Sequence, residues 1–302
     1  MIGTSLNPRH ENFREVIKSY YFLTKPRIIP LLLITTAASM FIAGEGAVDA
    51  SLLMLTLLGG TLAAASAQTF NCVYDQDIDY DMKRTRKRPI PSGKVDSNHA
   101  ITFGMVLGLA SFVILAWGVN LLSALLAMSG IVFYMLIYTH WLKRHTSQNI
   151  VIGGAAGAIP PLVGWAAVTG ELSLTAWAIF TLIFLWTPPH FWALALMIKD
   201  DYAEVNVPML PVVKGAETTV KQIFIYTLIT VVFSLVFIYP LHSLGVIYGG
   251  GALVLGTFFI IKAWQLQQQP EEKERAKSMF KYSILYMMLL CTGMVVDSLG
   301  II

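Results

Sequence analysis

The chain has 302 residues, of which 56% are hydrophobic and only 13% charged, with a net charge of +3 and a mean hydropathy of +0.64. Soluble domains carry roughly 25% charged residues, so a water-soluble globular enzyme is excluded and the bilayer is the expected solvent. Two distant cysteines, Cys72 and Cys291, fall in apolar segments and offer neither a disulfide framework nor metal-ligand spacing.

Residues 1–24 read as a polar segment of mixed charge preceding the first apolar run, in a chain otherwise expected to be one domain over 1–302. A spanning helix needs roughly 20 mostly apolar residues. Nine stretches qualify, at about 28–45, 51–71, 100–118, 121–140, 149–169, 173–197, 221–239, 244–263 and 281–300. The expected fold is therefore all-α, a polytopic bundle of about nine transmembrane helices around a central cavity. All 21 Lys and Arg then lie toward one end of the bundle, and the opposite loops carry none. By the positive-inside rule that end is cytoplasmic, which puts the N-terminus inside and the C-terminus outside. An extra or missing span mid-chain would scramble the segregation. Tyr20, Tyr21 and Trp141 read as interface anchors.

Span two closes on Gln68-Thr69-Phe70-Asn71-Cys72-Val73-Tyr74-Asp75-Gln76-Asp77-Ile78-Asp79-Tyr80-Asp81. Asn71, Asp75 and Asp79 stand four apart and share one helix face. Like charges so placed repel unless something positive lies between them, and oxygen ligands one turn apart suit Mg²⁺ shared with phosphate. The following Lys83-Arg84-Thr85-Arg86-Lys87-Arg88 is strongly basic, and Arg forks recognise phosphate oxygens. Span four ends on the same side with Lys143 and Arg144, and span six ends in Asp200, Asp201 and Glu204, with Asp200 and Glu204 again four apart. Either acidic stretch alone could be a solvated helix end. Together with the basic loop they describe a site for a metal-bridged diphosphate. The run Gly153-Gly154-Ala155-Ala156-Gly157-Ala158 follows no strand, so it reads as close helix packing rather than a nucleotide loop.

The two acidic motifs, Asn71-x-x-x-Asp75-x-x-x-Asp79 and Asp200-x-x-x-Glu204 with Asp201 beside it, resemble those of the UbiA-type intramembrane prenyltransferase superfamily. In quinone-type members the first Asn is directly followed by Asp, and this chain has Cys72 there. Several stretches are closer to the haem O synthase branch. They are Lys25-Pro26-Arg27, Asn71 to Gly93, Tyr138 to Arg144, Gln148 to Pro161, Pro189-His190-Phe191-Trp192 and Val207 to Val213.

That resemblance implies transfer of farnesyl from farnesyl diphosphate to the 2-vinyl group of protohaem IX with addition of water, giving haem O and diphosphate. It implies Mg²⁺ held by Asn71, Asp75, Asp79, Asp200, Asp201 and Glu204. Arg84, Arg88, Lys143 and Arg144 would act as fixed cations beside it. Haem B is then a substrate, farnesyl diphosphate and the lipid bilayer are partners, and a downstream haem A synthase is a further one. His190, His140 and His145 are the candidates to touch the haem, since imidazole is a common axial ligand. The alternatives are a relative acting on an aromatic quinone precursor, and a transporter using intramembrane acids such as Asp297.

Overall fold

The computed structural model describes residues 13–300. Its helices are α1 (Phe13–Leu23), α2 (Ile29–Ala43), α3 (Ala50–Tyr74), α4 (Gln76–Asp81), α5 (Ser97–Gly118), α6 (Leu121–His145), α7 (Asn149–Thr169), α8 (Leu174–Met197), α9 (Lys199–Glu204), α10 (Leu210–Val213), α11 (Gly215–Ser234, continued as a 3-10 turn to Phe237), α12 (Val246–Gln268) and α13 (Lys273–Ser298). No strand occurs among the described residues.

Eight of these helices are long and apolar enough to cross a membrane, and α2 is a ninth, shorter apolar helix of 15 residues. At 1.5 Å per residue α2 reaches about 22 Å, short of the roughly 30 Å hydrocarbon core. Pro30 in its first turn and Gly44 at its C-cap mark its ends. The expected nine-helix bundle is present. The later helices run past their apolar windows at the charged end, because a helix continues into the interface where hydropathy averaging has already failed.

Side-chain oxygens set several starts. Asp49 accepts from Leu52 N–H, Asp96 from Asn98 N–H and Asn120 from Ser123 N–H, each capping the next helix. Gly170 closes α7 at φ +74°. Helices α7 and α8 form the centre, and α2 packs on both α7 and α13, which closes the ring.

Small residues bring the backbones together, as expected where lipid supplies no hydrophobic drive. A Cβ on Gly164 would lie 2.3 Å from the Thr36 carbonyl oxygen. Across α3 and α5 the contacts are reciprocal: Ser111 Oγ donates to Gly59 O and Ser66 Oγ to Gly104 O, both at 2.7 Å. The small-residue run of α7 is used in this way, with Gly153 against the Tyr138 ring and Gly154 against Thr187.

Three expectations change. The polar N-terminal segment contains the helix α1, with Ser19 and Leu23 packed inward and Phe13, Ile17 and Tyr21 exposed one turn apart. Arg14, Glu15 and Lys18 between them mask the stripe in any running average. Residues 1–12 of that segment lie outside the described residues. Tyr20 is packed rather than open, its ring lying edge-on against Phe103 at 5.1 Å, whereas Tyr21 and Trp141 are exposed. Asp297 is not a free intramembrane acid: it accepts from the backbone N–H of Gly245 and Tyr248 and so caps α12. Cys72 and Cys291 are free and buried.

Candidate functional site

The chain turns sharply at Asp75. Helix α3 stops at Tyr74, Asp75 takes φ −86° and ψ 10°, and α4 begins at Gln76. Two backbone bonds carry the helical register across the break, Asp75 N to Asn71 O at 2.9 Å and Asp79 N to Asp75 O at 2.8 Å. The three residues of the first motif thus keep the shared face expected of them, and all are buried, Asp75 to 1% exposure.

Burying two carboxylates and an amide together is costly without partners. The protein supplies them from four directions. Lys143 Nζ lies 2.5 Å from Asp75 Oδ2, and Asn71 Nδ2 donates to the same oxygen at 2.8 Å. Arg88 Nη1 reaches both Asp79 oxygens, at 2.8 and 2.6 Å. Lys25, in the turn before α2, donates to Asn71 Oδ1. Burial lowers the Lys25 ammonium from its ordinary value, and nearby Asp75 partly restores it. Arg144 forks onto Asp77 at 2.7 and 2.8 Å, stacks over the Tyr74 ring at 4.8 Å and approaches Asp75 Oδ1 to 3.8 Å. Its hydrogen bonds hold the Asp77 carboxyl below the usual value.

Helix α6 delivers two of these groups through a π-wound stretch, Phe133–Leu142. Such winding is rare and is frequent at functional sites. It places Thr139 Oγ1 3.1 Å from Asn71 Nδ2 and stacks Tyr134 on Tyr138 at 5.3 Å.

The second motif is built differently. Helix α9 lies half-buried at the surface, and the structure does not bring the expected six-ligand set of Asn71, Asp75, Asp79, Asp200, Asp201 and Glu204 together. Asp200, 71% exposed, faces Lys273 at 3.6 Å. Glu204 pairs with Lys83 at 3.3 Å and lines a cleft of about 310 Å³ with Asp77, Asp81, Arg144 and Val205 to Val207. Glu204 therefore meets α4 on its Asp77–Asp81 side. The physical reason is charge: lysines and arginines occupy the space between the carboxylates, and no group of three acids, cysteines or histidines able to hold a metal occurs among the described residues. Tyr202 lies between the motifs. Burial pushes its phenol up, and Arg84 and Arg88 pull it back.

The oxygen set still suits a hard divalent cation. Asp75 Oδ1 is buried without a hydrogen-bond partner, an anionic oxygen left open. Mg²⁺ commonly takes only one or two carboxylates and completes its shell with water and substrate phosphate.

The histidines separate clearly. His140 Nδ1 lies 2.6 Å from Tyr74 Oη, and His145 Nδ1 lies 2.6 Å from Trp141 O, both exposed at the charged end. His190 is buried in α8, its ring stacked between Trp186 at 4.5 Å and Phe280 at 4.8 Å. Ser283 Oγ lies 2.7 Å from both His190 Nδ1 and Phe280 O, tying the imidazole to α13.

The profile of the UbiA prenyltransferase family matches residues 32–285. The chain belongs to the UbiA prenyltransferase family. Among its relatives, the protoheme IX farnesyltransferase of Picosynechococcus sp. is 72% identical over 299 residues, covering 99% of this chain and 94% of the relative. That of Gloeothece citriformis is 71% identical, covering 99% and 93%. A digeranylgeranylglyceryl phosphate synthase structure superposes with a TM-score of 0.77 at 20% identity, covering 95% of this chain and all of that one. A UbiA homolog from Archaeoglobus fulgidus, bound to GPP and Mg²⁺, gives 0.65 at 14% identity, covering 91% and 99%. The two structures share the fold.

In this prenyltransferase, sequence reasoning missed Lys25 and Thr139 as partners of the first motif. Lys25 was legible only as part of Lys25-Pro26-Arg27, and Thr139 reaches Asn71 only because α6 is π-wound, which no spacing rule anticipates.

Proposed function

We propose that this membrane prenyltransferase moves the farnesyl group of farnesyl diphosphate onto the 2-vinyl group of protohaem IX, with addition of water, to give haem O. The identity to the two named relatives supports the substrates. The observation that carries the chemistry is the convergence of Lys25, Arg88, Lys143 and Arg144 on one buried carboxylate stripe.

The allylic C–O bond of a prenyl diphosphate breaks only if the departing charge is stabilised. Lys143, Arg144 and Arg88 are preorganised donors, and each can exchange a carboxylate oxygen for a phosphate oxygen of similar geometry. Arg84, exposed beside them, adds a further positive field. Asn71, Asp75 and Asp79, once their cations turn to phosphate, would hold Mg²⁺, and Glu204 and Asp201 of α9 would complete the oxygen set. Asp200 joins this set only if α9 turns away from Lys273. When bound, Mg²⁺ supplies Lewis-acid stabilisation of the diphosphate. The farnesyl C1 then bonds to the terminal vinyl carbon, and water supplies the hydroxyl on the adjacent carbon and gives up a proton.

Of the three histidines we assign His190 to the haem, since it alone is buried within the bundle, stacked on Trp186 and Phe280. His140 and His145 stand with the diphosphate cations instead. The basic end faces the cytoplasm of a cell-membrane protein, in keeping with the segregation of Lys and Arg. A downstream haem A synthase is the consumer of the product.

Purified Asp75→Ala and Asp79→Ala should each lose haem O formation while keeping their elution profile and helix content. Near-normal turnover in the double variant contradicts the proposal.

A further inference from the structure

Asn149 opens α7, directly after the turn that follows Lys143 and Arg144. Its side chain is fully buried, at 0% exposure, yet neither its Nδ2 nor its Oδ1 has a hydrogen-bond partner. Leaving such groups unpaired in the interior is costly. Two other buried atoms at this end of the bundle are also unpartnered, Arg144 Nε and Asp75 Oδ1. These orphaned atoms include both donors and acceptors, which an apolar ligand cannot satisfy.

The register fixes where Asn149 lies. A Cβ on Gly153 would meet the Tyr138 ring at 2.2 Å, so that face of α7 lies against α6. Asn149, four residues earlier, shares the face one turn nearer the charged end. On α6, the turn past Tyr138 carries Thr139, bonded to Asn71, and then Lys143, bonded to Asp75. The amide is therefore sited beside the partners of the first motif. It is also at the positive end of the dipole of a 21-residue helix.

We infer that Asn149 and the N-terminus of α7 form a subsite for the diphosphate group, with Asn149 Nδ2 and Arg144 Nε donating to phosphate oxygens. A hydrated diphosphate offers acceptors in its phosphate oxygens and donors in its waters. An amide satisfies both, where a lysine would satisfy only one. This subsite rests on the prenyl-diphosphate reading of the site.

The test uses purified full-length protein in detergent with Mg²⁺ and inorganic pyrophosphate, the leaving group, as probe. Pyrophosphate affinity is read from inhibition of haem O formation and, independently, from the ligand-induced rise in Tm. Asn149→Leu keeps the shape and removes the unpaired polar atoms, so a purely structural asparagine predicts an equal or higher Tm with affinity unchanged. The subsite predicts that Asn149→Leu folds at least as stably and binds pyrophosphate at least tenfold more weakly, with protohaem binding unaltered. Asn149→Asp, which adds a negative charge facing the anion, should weaken it further, and it provides a second reading if Asn149→Leu does not accumulate. Wild-type affinity within twofold in both variants overturns the subsite while leaving the prenyl-diphosphate reading in place. Failure of the wild-type protein to bind pyrophosphate or farnesyl diphosphate at all overturns that reading, and the subsite with it.

Discussion

Lys143→Met strands the carboxylate at the heart of the site. Asp75 is 2% exposed at its side chain and Lys143 12%, and they approach to 2.5 Å. Removing one partner of a buried pair costs about 3–5 kcal/mol, because the other charge stays buried. Asp75 keeps the amide of Asn71 at 2.8 Å and a weaker approach from Arg144 at 3.8 Å, so the lower end, about 3 kcal/mol, is expected. Asp75→Asn in the same chain removes the stranded charge and should restore most of that loss. The pairwise coupling is then about 2–3 kcal/mol. SDS-induced unfolding in mixed micelles, followed by tryptophan fluorescence, reads all four corners of the cycle. The double variant should be nearly as stable as the parent yet inactive, since both residues are assigned to the chemistry. A coupling below about 0.5 kcal/mol would show that the pair does not form and that the proposed exchange of carboxylate for phosphate has no starting state.

Three further outcomes follow from the same coordinates. Gly164→Ala forces a methyl to 2.3 Å from the Thr36 backbone oxygen, which cannot swing aside, and should destabilise by about 1–3 kcal/mol in the same unfolding assay. Asp77 is held below its ordinary value by Arg144, so its contribution is present above pH about 3.8 and is lost as the pH falls through its folded value. The stability gap between wild type and Asp77→Asn should be flat from pH 7 to 5, close at lower pH, and stay under about 1 kcal/mol for so exposed a pair. His190→Ala should abolish the spectral shift of bound protohaem and leave pyrophosphate inhibition intact, and an unchanged spectrum in that variant would remove His190 from the haem site.

The spans and the shared face of the first motif were legible because each rests on a regular spacing: about 20 apolar residues per crossing, and a step of four from Asn71 to Asp75 to Asp79. What was not legible depends on contacts between distant segments. Lys25 meets Asn71 across 46 residues, and Lys143 meets Asp75 across 68. The chain pattern named Lys143 as a cation but could not say that it would neutralise the motif. Asp200 and Glu204 look equivalent in sequence, yet on a six-residue helix they point to Lys273 and to Lys83. His190 was one of three histidines until its burial against Trp186 and, from another helix, Phe280 set it apart. Helix α1 was hidden because its apolar stripe is diluted by charges on the other face.

The most direct test of the account is the mass of the haem recovered after incubating the purified protein with protohaem IX, farnesyl diphosphate and Mg²⁺. The account predicts a gain of one farnesyl group plus one hydroxyl on the porphyrin, with equimolar diphosphate released. Unmodified protohaem, or a farnesylated product carrying no added water, would contradict it.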